Sequence, residues 1–168
     1  MGPAEVREWK SRDKTGWPSG PWEDEPDKVH WVDPATDLDC LLHRGPMGVW
    51  CGYVAVTEGH PLFEVSPSGL PDLDVHGGIT YANFCQEGDD PAVGICHVPF
   101  PGRPDRVWWI GFDCGHAYDR MPALEAREMQ LVGLEKVSAL FVEGTVYRDR
   151  AYAQAEVVRL ARQVADRA

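Results

Sequence analysis

Residues 38–58, LDCLLHRGPMGVWCGYVAVTE, place two largely apolar runs on either side of Gly-Pro-Met-Gly. A turn of that composition reverses the chain, so the segment predicts a β-hairpin. A hairpin alone buries too little to be stable, so more strands and a covering layer must join it. RVWWIGFD, residues 106–113, is the most apolar candidate strand and is expected near the centre of a sheet. LDVHGGITYANF (73–84) reads as strand, glycine bend and strand, and AVGICHVPF (92–100) as a further short strand closed by PGRPD. GHPLFEVSPSGLPD (59–72) carries too many prolines and glycines to be anything but loop.

Helical signals follow these strands. MPALEAREMQLVGLEKVSALF (121–141) can form a helix that starts at Pro122 and is weakened in its middle by Gly133, and FVEGTVYR (141–148) can return as a strand. In DRAYAQAEVVRLARQVADRA, Ala153, Val157, Leu160, Ala161 and Val164 recur at the i, i+4, i+7, i+8 spacing of one helix face, with Asp149 as N-cap. The order predicts an α+β fold: a mostly antiparallel sheet of short strands with the C-terminal amphipathic helix packed on it.

The first 37 residues differ from the rest. They are rich in Pro, Gly and acids, yet hold Trp9, Trp17, Trp22 and Trp31. Disordered tails rarely carry so many indoles. An irregular arm over 1–37, packed on a single domain over 38–168 or on a neighbouring subunit, is expected.

The net charge of −11 argues against a nucleic-acid polymer as partner, while leaving room for a small anionic ligand in a local pocket. Arg44, Arg103, Arg106, Arg120 and Arg148 lie near enough to the informative segments to line one. No apolar run is long enough to span a bilayer and MGPAEVREWK lacks the form of a secretory signal, so a cytoplasmic location is expected. Five cysteines without CxxC spacing point away from a disulfide framework and a zinc knuckle, and Cys40 and Cys51, flanking the hairpin, are expected as neighbouring free thiols.

Chemistry-bearing side chains concentrate in VHGGITY (His76, Thr80, Tyr81), GICHV (Cys96, His97) and GFDCGHAYD (Asp113, Cys114, His116, Asp119), each at or after a candidate strand and set among glycines. Three chemistries are open. Asp113, His116 and Asp119 have the donor types for Zn, Mn or Mg, with His76 or His97 completing the shell. Without a metal, His76 and His116, each oriented by Asp113 or Asp119, can move protons near neutral pH, with Thr80 or Tyr81 donating to a developing oxyanion. A Cys114 nucleophile is disfavoured, because the adjacent carboxylate raises its pKa. The plainer alternative is that Asp113 and Asp119 cap turns. His97, Arg103 and Trp109 complete the candidate ligand contacts, Trp109 by stacking on a nucleobase if it is not core.

VHGGITYANF, GICHVPFPGRPDRVWWIGFDCGHAYD and YRDRAYAQAEVVRLARQ together resemble a family of small proteins from phages of actinobacteria. The resemblance supplies no reaction. It implies an accessory phage protein, and some of these cleave or sequester cyclic nucleotide immune signals. The leading expectation is therefore a small hydrolase of a nucleotide phosphoester, such as a cyclic oligonucleotide, using His76, Asp113, His116 and Asp119. A non-catalytic nucleotide-sequestering protein and a structural or interaction domain are the alternatives, and a homo-oligomer is possible.

Overall fold

The computed structural model describes residues 5–85, 90–133 and 143–168. It is an α+β fold built on one six-stranded antiparallel sheet. The strands are β1 (Val6–Trp9), β2 (Lys28–Val32), β3 (Asp39–Arg44), β4 (Trp50–Val56), β5 (Tyr81–Asn83) and β6 (Trp108–Asp113), in the order β1-β2-β3-β4-β6-β5. Among the described residues two α-helices follow, α1 (Pro122–Val132) and α2 (Arg150–Ala165).

The expected hairpin is β3–β4, in register from Cys40 opposite Val54 to Arg44 opposite Trp50. Its turn is closed by the Gly45 amide donating to the Val49 carbonyl, with Gly48 at φ 86°. The strand β6 lies inside the sheet, between β4 and β5. Because strand side chains alternate, β6 serves two cores. Trp108, Ile110 and Phe112 join Leu42, Trp50 and Val54 on one face, whereas Trp109 joins Leu41, Tyr53, Ala55, Ile95 and Val107 on the other.

The helix α2 covers the first face with the five predicted residues, Ala153, Val157, Leu160, Ala161 and Val164, all fully buried. Burial of each of the larger three contributes roughly 1.5–3 kcal/mol. Asp149 caps this helix, its carboxylate accepting from the Tyr152 amide at 2.8 Å. Gly52 lets the helix approach, since a Cβ there would overlap Phe112 and Val157.

Several expectations are corrected. The stretch expected as an irregular arm is not irregular throughout, for β1 and β2 lie within it, pair with each other and join it to β3. Its Trp22 and Trp31 are buried in the domain itself. Residues 92–100 and the first half of 73–84 form turns and irregular chain rather than strands. Cys85 and Cys96 form a disulfide. Cys40 and Cys51 are free but sit on opposite faces of the sheet, so they are not neighbours. The helix α1 is closed by Gly133 at φ 88°, and residues 134–141 of the longer expected helix, like 141–142 of the strand expected after it, lie outside the described residues. From that strand, Val146 makes one parallel bridge to Asp119. Among the described residues no helix is long and apolar enough to cross a membrane.

Candidate functional site

The ladder of β6 continues one residue past the strand, where the Cys114 amide donates to the Trp50 carbonyl at 2.9 Å. The chain then turns sharply. Asp113 Oδ1 accepts from the Gly115 amide at 2.9 Å, and a second turn brings the Asp119 amide to the His116 carbonyl at 3.0 Å. Within that turn Tyr118 sits at φ 71°, a conformation that glycine ordinarily fills and a bulky residue rarely adopts. The Val146 amide fixes it, donating to the Tyr118 carbonyl at 2.7 Å. Strain held by surrounding bonds is a mark of a functional segment. Tyr118 is 76% exposed.

Both carboxylates thus cap turns, and each also meets a histidine. Asp119, only 4% exposed, accepts from His76 Nε2 at 2.6 Å through Oδ2, which also takes the His116 amide at 3.1 Å. Its Oδ1 accepts from Arg148 Nε at 3.0 Å. That bond, with lesser help from nearby charges, raises the Arg148 pKa against the opposing effect of desolvation. Asp113 Oδ2 accepts from the Thr80 hydroxyl at 2.8 Å, and Oδ1 lies 3.3 Å from His116 Nε2. That nitrogen is buried yet makes no hydrogen bond to a described residue.

The rings of His76 and His116 stand 5.8 Å apart between centroids. Gly77 makes this approach possible, because at φ 69° it tucks its backbone beneath the His116 imidazole, where any Cβ would overlap. His76 is held from three sides. Its amide donates to Glu156 Oε2 at 3.1 Å, Nε2 meets Asp119, and Nδ1 meets the Tyr152 hydroxyl at 2.8 Å. Since a carboxylate only accepts, a neutral His76 carries its proton on Nε2 and receives the phenol proton at Nδ1. Beside this cluster lies a cleft of ≈ 230 Å³ lined by His116, Tyr118, Asp119, Met121, Leu124 and Glu125. It is smaller than most pockets that enclose a whole ligand.

Asp113, His116 and Asp119 come together, and both oxygens of Asp119 are bonded to His76, Arg148 and the His116 amide. Among the described residues no three His, Cys, Asp or Glu side chains converge as metal ligands would. Cys114 is buried, and burial followed by the nearby Asp119 pushes its thiol far up, which leaves it inert.

Of the expected ligand contacts only Thr80 reaches this rim. Tyr81 turns to the other face of the sheet, donating to the Phe84 carbonyl at 2.6 Å and packing edge-on against Tyr53. His97 is buried there between His30 and Trp109, and Trp109 is fully enclosed core. Arg103 binds Asp39 at 2.8 Å and Asp37 at 3.0 Å, away from the histidine pair. In their place the structure supplies Tyr118, Tyr152 and Glu156, and of the arginines expected near an anionic ligand it brings Arg148 to the rim. Tyr152 and Glu156 lie in the first two turns of α2, where an amphipathic reading assigns them to a solvent face.

No protein-family model matches the chain, and no curated protein and no solved structure matches it.

Proposed function

We propose that this protein is a phosphoester hydrolase acting on a nucleotide at the His76–His116 rim. The supporting observation is the pair of imidazoles with centroids 5.8 Å apart, each beside its own carboxylate. Two such groups near one phosphate can exchange protons with attacking and departing oxygens near neutral pH. Arg148 brings a guanidinium to the same rim, where it can face a phosphate while held by Asp119. The exposed ring of Tyr118, lining the adjoining cleft, offers a stacking surface for a base. The cleft suits one phosphate or base better than a whole cyclic oligonucleotide, so a larger cyclic signal would lie across it with most of its body outside.

In this mechanism the half-exposed His116 exchanges protons with substrate and water, while Asp113 holds its charge. His76, locked between Asp119 and Tyr152, holds the rear of the site. A divalent ion is the alternative source of activation, and a chelator distinguishes the two.

One observation favours a second reading. Both ring nitrogens of His76 are already bonded, as suits a rigid site that captures a nucleotide without converting it.

The test is a panel of linear and cyclic nucleotides incubated with the protein in divalent metal or in chelator. Each mixture is filtered directly or after heat denaturation and analysed by mass spectrometry. Products that survive chelation and vanish in His116→Ala support the hydrolase. Products lost with chelator move the reaction to a metal. A nucleotide absent from the direct filtrate and recovered intact after heating establishes capture, and an unchanged panel removes the nucleotide.

A further inference from the structure

The bonding of His76 gives that histidine a task that neither reading above requires. Asp119 Oδ2, His76 Nε2, His76 Nδ1 and the Tyr152 hydroxyl form one chain with links of 2.6 Å and 2.8 Å. A carboxylate, an imidazole and a hydroxyl in that order are the parts of an activated nucleophile: a base within hydrogen-bond reach of the attacking group, and a third group orienting the base. The anchor is rigid, because Asp119 also receives Arg148 and the His116 amide, and Glu156 holds the His76 backbone. The Arg148 guanidinium lies 4.9 Å from the centroid of the Tyr152 ring, placing a positive charge over the ring whose oxygen would become negative. The Tyr152 ring is partly exposed, on the first turn of α2.

We infer that Asp119, His76 and Tyr152 form a nucleophile relay, in which the Tyr152 oxygen attacks an electrophilic phosphorus. The choice of phosphorus rests on the phosphoester reading, whereas the relay does not. The Oη–P bond forms as the P–O bond to the leaving group breaks. The phenol proton passes to His76 Nδ1, and protonated His116 gives its proton to the departing oxygen. Water, deprotonated by His116, then attacks the phosphotyrosine, and Oη leaves with the proton held on His76. Burial, then Glu156, raises the Tyr152 pKa, so the resting group is the phenol and its proton leaves only as the bond to phosphorus forms.

Two probes test this on the full chain. The p-nitrophenyl ester of thymidine 5′-monophosphate, quenched in acid during the first turnovers, is expected to leave a nucleotidyl adduct on Tyr152 with a burst of p-nitrophenol. Adenosine carrying a 5′-fluorosulfonylbenzoyl group traps nucleophilic tyrosines without any phosphoester cleavage. It is expected to label Tyr152 about 100-fold faster than in His76→Gln or Asp119→Asn, the scale of a lost general base. Tyr152→Phe, which removes one oxygen and keeps the ring, loses both adducts and melts like the parent. If the ester is cleaved and Tyr152→Phe turns over normally, the relay is wrong and the hydrolase reading survives. If Tyr152 labels fast in a His76-dependent manner but no phosphoester is cleaved, the relay stands and the hydrolase reading falls. Labelling at equal rates with and without His76 overturns the relay outright.

Discussion

Gly77 supports His116 by having no side chain, for its α-carbon occupies the one place from which a Cβ would overlap that imidazole. The contact is with the far end of a half-exposed side chain, so His116 can swing away at modest cost. Gly77→Ala is therefore expected to lose about 1–2 kcal/mol, mostly from forcing φ 69° on a residue with a Cβ. The effect on function should be much larger, with turnover or nucleotide capture falling about 100-fold as His116 leaves its partner Asp113. Urea denaturation and the nucleotide panel check the two halves separately. A variant as active as the parent would show that His116 has no role at the rim.

Arg44 is fully buried over the Trp50 indole, its guanidinium carbon 4.3 Å from the ring centroid. It donates to Asp27 at 2.8 Å, to Tyr147 at 2.8 Å and to the carbonyls of Gly48 and Pro26 at 2.9 and 3.0 Å. This fork joins the N-terminal residues, the hairpin turn and the segment that leads into α2. Removing one partner of a buried pair leaves the other charge unsatisfied, so Arg44→Met is expected to cost about 3–5 kcal/mol. Arg44→Lys keeps the charge but not the fork and should fall between the two. Equilibrium unfolding in urea measures both, and a loss below about 1 kcal/mol for Arg44→Met would remove this residue as the tie.

The parts legible in the sequence were those fixed by local pattern. A Gly-Pro-Met-Gly turn between apolar runs marks β3–β4, and five residues at helix spacing mark the buried face of α2. β1 escaped because it is a four-residue edge strand of alternating exposure, and β2 because it sits among prolines and acids. Residues 92–100 imitate a strand, but Ile95 packs while the Cys85–Cys96 bond and the Lys28 ammonium, donating to the Cys96 carbonyl at 2.6 Å, hold the backbone. At the site, His76, Asp113, His116 and Asp119 were visible because their glycines announced sharp turns. Tyr152 and Glu156 were not, since only the packing of α2 brings them to a histidine 76 or more residues earlier.

Acid should weaken the fold through His97. Burial, and then the neighbouring His30, lower the His97 pKa below its ordinary value of 6.5, with Lys28 adding to this and Asp39 and Asp105 opposing it. Above 6.5 neither folded nor unfolded chain is protonated there, so His97 contributes no pH dependence. Below it the unfolded chain binds a proton that the folded chain refuses, and stability falls until the lowered pKa is passed. Asp39 acts in a separate, more acidic window. Burial pushes its pKa up, but bonds from His30 and Arg103 more than offset this and leave it below 3.8. The urea midpoint measured from pH 8 to pH 5 should drop for the parent and drop less for His97→Gln. Parallel curves would assign the acid loss to other groups.

The Cys85–Cys96 disulfide should matter to stability and not to the site. It joins residues 11 apart on the face opposite the buried side of α2, where Ile95 and Trp109 pack. Cross-linking a loop of this size restricts the unfolded chain by about 2–3 kcal/mol. Cys40 and Cys114 are buried, and Cys51 is pushed up to about 12 by burial and Asp113, so none of the three is a ready thiolate for exchange. Reduction with a phosphine is therefore expected to lower the urea midpoint of the parent and leave Cys85→Ser/Cys96→Ser unchanged. Labelling of Tyr152 should proceed equally in both, because the His76 relay touches neither cysteine. A parent whose midpoint does not respond to reduction would mean that the cross-link does not form, and that Lys28 and the packing of Ile95 hold residues 92–100 without it.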